Sequence, residues 1–155
     1  MSEAIESGSA ATVSLRRVDQ LLAHYAESHR APANELIHYV AIPLIMLSLL
    51  GLLFALHPWV AYGLVALSMV YYARLSVVFL ITMLGIGVAM LGMVRAMGDA
   101  VVPISTVIFV GAWVAQFIGH KIEGKKPSFF EDLQYLLVGP LFVLSKLFVK
   151  LDLRW

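Results

Sequence analysis

Three of the chain's five histidines, His29, His38 and His120, stand at the edges of long apolar runs. An ionisable side chain at that depth is costly, so it marks a site more often than filler. Tyr25, His29, Pro32, Asn34 and His38 fall in one short stretch, and Gln116, Gly119 and His120 in another. Neutral imidazole binds divalent iron, zinc or copper through a ring nitrogen, and a carboxylate often completes the set. On a helix, Asn34 and His38 share a face, as do His120 and Glu123. His29 lies just before Pro32, where a bend can turn it back toward His38. The pattern offers two or three histidines and a carboxylate, with positions left open for other ligands. From spacing alone, His29 and His38 read equally well as rings among lipid headgroups. Gln116, one turn before His120, adds a second polar group to one face of an apolar run. Glu123 has the competing reading of a partner to Lys121 or a headgroup.

The remaining polar residues have plainer roles. His24 reads as a solvated surface residue and His57 as part of a turn. Lys125 and Lys126 read as anchors, Ser128 as a helix cap, and Asp132 as a complement to a helix dipole.

The elements that must carry these residues follow from composition. Of 155 residues, 61% are hydrophobic and only 14% charged, against roughly 45–50% apolar for a soluble domain. Mean hydropathy is +0.87. A soluble fold of this size cannot hide so much apolar surface, so lipid is the expected solvent for much of it. A net charge of +1 without a basic stripe argues against nucleic acid as a partner. The absence of cysteine excludes disulfides, thiolate ligands, iron–sulfur clusters and cysteine nucleophiles. Residues 1–13 carry Glu3 and Glu6 with no basic or apolar signal region, and are expected to be disordered.

Leu15, Val18, Leu21, Leu22 and Tyr25 recur at helical spacing among Arg16, Arg17, Asp19 and Gln20. They predict an amphipathic interfacial helix over about residues 14–28. Four apolar runs follow, at about residues 39–56, 59–73, 75–94 and 100–119. The stretch on both sides of Arg74 is too long for one span, so a reversal near Arg74 is expected. Trp59, Tyr71 and Tyr72 sit at run ends, where aromatic residues anchor to headgroups. Gly85 and Ala89 are small residues of the kind common in spans. With both termini inside, all of the 11 Lys and Arg except Arg95 fall on the cytoplasmic side, a strong positive-inside signal. The same topology gathers His29, His38 and His120 at that face. Ser128 and Glu131 form a capping box ahead of a second interfacial helix, about residues 129–150, with Phe129, Leu133, Leu136, Leu137, Leu141, Leu144 and Phe148 on one face. Gly139-Pro140 should kink it. The expected fold is an all-α integral membrane protein: four transmembrane helices plus amphipathic N-terminal and C-terminal interfacial helices, forming one helical membrane domain over residues 14–150. Its membrane would be the inner one in a bacterium or the endoplasmic reticulum in a eukaryote.

No His-Glu-x2-His or Gly-x-Ser-x-Gly motif signals a zinc protease or an esterase. Five histidines are too few for the histidine boxes of membrane di-iron enzymes, which leaves a mononuclear site.

Tyr25, His29, Pro32, Asn34, Ile37, His38 and Pro43, at their spacing, resemble the first signature of the small membrane 2-hydroxy fatty acid dioxygenases. Trp113, Gln116, Phe117, Gly119, His120, Glu123, Lys126-Pro127, Leu133 and Pro140 resemble the second. The likeness covers roughly residues 21–148. That family is best known from fungal phytosphingosine breakdown. The resemblance implies an Fe(II)-dependent, oxygen-consuming α-oxidation, in which a 2-hydroxy fatty acid loses its carboxyl carbon and leaves a fatty acid one carbon shorter. It implies that His29, His38 and His120 hold the iron. Glu123 would be a fourth ligand or a partner to the ligands. Asn34 and Gln116 would orient ligands or the substrate hydroxyl. The competing functions are a non-enzymatic lipid-binding or assembly subunit, whose histidines read headgroups or pH, and a zinc-dependent lipid hydrolase.

Overall fold

The computed structural model describes residues 16–124 and 135–155. The N-terminal lead-in of residues 1–13, the start of the first predicted helix, Lys125, Lys126, Pro127, the capping box from Ser128 to Glu131, Asp132 and Leu133 lie outside the described residues. The protein is all-helical. In order come α1 (Arg17–Ala26), α2 (Pro32–Leu56), α3 (Pro58–Ala73), α4 (Val77–Ala96), α5 (Val101–Ile122) and α6 (Val138–Lys150), with a 3-10 turn at Gly98–Ala100 leading into α5. No strand occurs among the described residues.

Three helices are long and apolar enough to cross a membrane: Pro32–Leu56, Val77–Ala96 and Gly98–Ile122. The fourth apolar helix, α3, has 16 residues, about 24 Å at 1.5 Å per residue, against a hydrocarbon core of about 30 Å. Leu67, Val77, Ile81, Val88 and Val107 all point outward and are well exposed. Apolar side chains on outer and inner faces alike are consistent with a membrane protein.

Local sequence explains the helix ends. Pro32 and Pro58 open α2 and α3, where proline's missing N–H costs nothing. The Nδ1 of His57 accepts from the N–H of Trp59 at 3.3 Å, so this histidine caps α3. Pro43 lies inside α2, which continues through it, as helices packed against neighbours in a bilayer can. Gly124, with φ at +75°, turns the chain out of α5 in the left-handed conformation.

The principal packing is α2 against α5, with α3 and α4 on other sides of α2 and α6 against α1 and α2. Two glycines set the α2–α5 spacing. A Cβ on Gly51 would lie 2.0 Å from Ser105 Oγ, and one on Gly119 would lie 2.4 Å from Asn34 Oδ1. Gly85, by contrast, has open space around it, as ordinary small residues of spans do.

Two details differ from the sequence expectation. Gly139 and Pro140 do not kink a helix but lie in the first turn of α6, where proline is tolerated. Tyr72 is no headgroup anchor. Its ring is buried with Val18, Phe79, Leu141, Phe142 and Phe148, and its hydroxyl donates to the Leu137 carbonyl at 3.2 Å. Burying the ring against α6 satisfies both its apolar body and its polar tip.

Gly51→Ala is expected to destabilise the protein by about 1–3 kcal/mol, the usual cost of overpacking. Ser105→Ala removes the hydroxyl in the way, so Gly51→Ala should cost clearly less in that background. Thermal unfolding of the wild type and the three variants in detergent checks this; equal costs in both backgrounds would mean the contact does not set the helix spacing.

Candidate metal centre

Three segments deliver the three histidines. His29 lies in the turn between α1 and α2, with its backbone N–H bonded to the Ala26 carbonyl at 3.1 Å. Its Nδ1 donates to the Tyr25 carbonyl at 2.7 Å, and its ring stacks on the Tyr25 phenol at 4.2 Å and 11°. His38 sits early in α2, and its Nδ1 donates to the Asn34 carbonyl at 2.9 Å. His120 comes from the last turn of α5. A carbonyl oxygen only accepts, so His29 and His38 each carry hydrogen on Nδ1. In the neutral ring, Nε2 then holds the lone pair. Such bonds from the far nitrogen are how ligating histidines are commonly oriented.

The rings converge. Centroids of His29 and His38 are 4.2 Å apart, those of His38 and His120 5.1 Å, and those of His29 and His120 5.7 Å. All three residues are buried, and one ring nitrogen from each lies within 4.8 Å of the others. Metal–imidazole bonds are about 2.1 Å, so two nitrogens on one ion lie at most about 4.2 Å apart. Nitrogens within 4.8 Å of one another reach that with a small closing of the rings. The donor set, three neutral imidazoles with no thiolate, fits a borderline divalent metal such as iron or zinc.

Glu123 does not join this group. Its Oε1 accepts from the Arg30 N–H at 2.9 Å, and its Oε2 from the Ala31 N–H at 2.8 Å and Asn34 Nδ2 at 3.0 Å. Ala31, the N-cap of α2, has no side-chain cap of its own. Glu123 supplies that cap from another helix, and a carboxylate at a helix N-terminus also meets the favourable end of the dipole. Burial alone pushes its carboxyl upward. The Ala31 and Arg30 N–H groups and the Asn34 amide outweigh this and hold it below the usual carboxylate range.

Asn34 is fully buried and ties this corner together. Its Nδ2 donates to Glu123 and to the Ser28 carbonyl at 3.2 Å, while its own carbonyl orients His38. A carboxylate neighbour needs a donor, which fixes the amide's orientation. Gln116 is buried on α5, and its Oε1 has no partner among the described residues. It lines a small cavity with Tyr25, Ile42, Trp113, Tyr135 and Gly139. His24 is exposed beside Glu27 at 3.6 Å, and His57 caps α3, so neither contributes to the group.

Sequence spacing did not assign the residues that wall the site. Phe142 on α6 packs 5.5 Å from His29 and 5.1 Å from Tyr25. A Cβ on Gly139 would lie 3.2 Å from the Tyr25 hydroxyl and 3.1 Å from Ile42. The signal for Gly139 was its place beside Pro140; Phe142 carried none.

Fold and site together define a helical protein with membrane-length apolar helices and a buried three-histidine group able to hold a metal ion. The chain belongs to the family described as 2-hydroxy-palmitic acid dioxygenase Mpo1-like, whose profile matches residues 15–151. It is 29% identical over 137 residues to the 2-hydroxy-palmitic acid dioxygenase MPO1 of Saccharomyces cerevisiae, an alignment covering 84% of this chain and 79% of that protein. No solved structure matches the chain.

Glu123→Gln should lose about 1 kcal/mol of stability, as for a weakened helix cap, yet keep the binding stoichiometry for a divalent ion. Co²⁺ titration beside His120→Ala checks this. A stoichiometry as low as that of His120→Ala would make Glu123 a ligand.

Proposed function

We propose that this protein is a membrane-embedded, Fe(II)-dependent dioxygenase that converts 2-hydroxy fatty acids to fatty acids one carbon shorter. The observation that carries the reading is the buried convergence of His29, His38 and His120 in a member of this family. Nε2 of His29 and His38 and a ring nitrogen of His120 would hold the ion. Bound iron would supply the redox chemistry toward O2.

The chain's own groups bind, orient and exclude water. Asn34 positions His38 through its carbonyl, and its amide fixes the turn that carries His29. Glu123 holds that turn to the end of α5. Gln116 Oε1, buried and lining the neighbouring cavity, accepts from the substrate hydroxyl. Tyr25 and Phe142 cover His29 and keep bulk water from it.

Four spans, formed by α2, α3, α4 and α5, put both termini in the cytoplasm, with every basic residue except Arg95 on that side. The short α3 is accommodated by local thinning of the bilayer. α1 and α6 lie at the cytoplasmic interface, over the histidines. An amphiphilic substrate then presents its carboxylate and hydroxyl to the centre from that face, with its tail among the helices. The membrane is the inner one in a bacterium and the endoplasmic reticulum in a eukaryote.

Purified protein should carry near-stoichiometric iron, lost in His38→Ala and in His120→Ala, and should take up O2 with 2-hydroxy fatty acids to give the acid one carbon shorter. Zinc with hydrolysis unaffected by anaerobiosis would mean a lipid hydrolase. No metal after anaerobic Fe(II) loading would leave a lipid-binding subunit.

Gln116→Leu should retain iron while turnover falls about 10–100-fold, the usual cost of losing an outer polar partner at a metal site. Iron analysis and O2 uptake on the same preparation check it, and unchanged turnover would remove Gln116 from the site.

A further inference from the structure

A second, partly open cavity lies between α2, α3 and α4, lined by Met46, Leu50, Leu64, Met69, Met83 and Gly87 among others. Its polar side chains are already committed. Ser68 donates its hydroxyl to the Leu64 carbonyl at 2.8 Å, and Tyr72 donates to Leu137. A lining of this kind gives water too few partners to hold it, so the space suits an apolar occupant.

Its position relative to the histidines suggests which occupant. Leu136 lines both this cavity and the smaller one that holds Gln116 and Tyr25. Along α2, His38, Ile42, Met46 and Leu50 follow at four-residue steps, so the apolar face runs roughly 18 Å from the first to the last. That distance is on the scale of a long acyl tail. Tyr72 meets Leu137 at the near end. Leu64 stands about two turns away from it on α3, and Gly87 follows about one turn past Met83 on α4. Gly87 lacks a side chain there, and a Cβ on it would lie 3.3 Å from Val65 Cγ1.

We infer that the tail of the 2-hydroxy fatty acid runs from the histidine centre past Leu136 into this cavity, and that Gly87 and Leu64 set the longest tail accepted. The inference rests on the proposed function for the identity of the acid's polar end. A tail arriving from a bilayer leaves one apolar solvent for another, so burial gives the cavity no preference for length. Selection acts by exclusion: methylenes beyond the end wall have nowhere to go, because packed interiors yield little. The profile against chain length should therefore fall steeply on the long side and gently on the short side.

The test is binding, read as the ligand-induced shift in melting temperature of the full-length, Fe(II)-loaded protein in detergent under anaerobic conditions. A series of 2-hydroxy fatty acids from medium to very long chain is compared in wild type, Gly87→Leu and Leu64→Ala. Gly63→Leu, at an exposed glycine with open space around it, is the control. Gly87→Leu should move the long-chain limit down by two or more carbons, and Leu64→Ala should move it up. Iron content reports that each variant is folded. If Gly87→Leu does not fold, the upward shift in Leu64→Ala alone decides.

An unchanged profile in the folded variants would overturn the inference, as would a wild type that binds no acid or a copurified phospholipid that no acid displaces. Shifted limits in a protein that takes up no O2 would keep the tail cavity and overturn the dioxygenase reading instead.

Discussion

The meeting of α5 with the start of α2 is the constraint on which the site depends. At Gly119 the two helices are so close that a single methyl group would collide with Asn34. One residue further, His120 is brought against His38. One turn beyond Gly119, Glu123 reaches the N–H groups of Arg30 and Ala31. Spacing along one helix thus fixes an approach, a convergence of rings and a cap. Removing the side chain at position 119 is what lets the other two contacts form.

His29 completes the group from outside that helix pair, so it needs its own support. The turn that carries it is held from below by Asn34 and Glu123. Its ring is held from the side by the Tyr25 carbonyl and phenol. α6 closes the arrangement through Phe142 and the glycine at 139. Further along, Lys146 of α6 pairs with Glu35 of α2 at 2.9 Å. The indole N–H of Trp155 donates to Asp19 of α1 at 3.2 Å. α1 and α6 therefore form a cover joined to each other and to α2.

Much of this was legible in the sequence because the relevant signals are local. Hydropathy marks the apolar helices, prolines mark the starts of α2 and α3, and the two histidine stretches stand out against an apolar background. The role of Glu123 was not legible: its partners are backbone groups some 90 residues away, and main-chain N–H groups leave no trace in side-chain spacing. Tyr72 misled for a related reason. An aromatic residue at the end of an apolar run looks the same whether it meets headgroups or another helix. Gly139-Pro140 reads as a kink if one helix runs through it; among the described residues the chain turns at 135–137 and the pair falls in the first turn of α6, where proline is ordinary.

In water, polarity decides which face of a helix turns inward. α2, α4 and α5 are long and apolar enough to cross a membrane, and in a bilayer lipid would solvate such a surface about as well as another helix does. The hydrophobic effect then cannot choose between helix orientations. Close approach and polar pairing can, because an unpaired polar group in hydrocarbon is expensive. Asn34, His38, Ser48, Ser105, Gln116 and His120 are the buried polar residues of α2 and α5, and Gly51 and Gly119 are two points of close approach between these helices. Asn34, His38 and His120 therefore serve two ends at once. They hold the centre's geometry, and they give α2 and α5 a reason to adopt one rotation rather than another. In a protein this small and this apolar, fold specificity and the chemistry of the site are drawn from the same few polar groups.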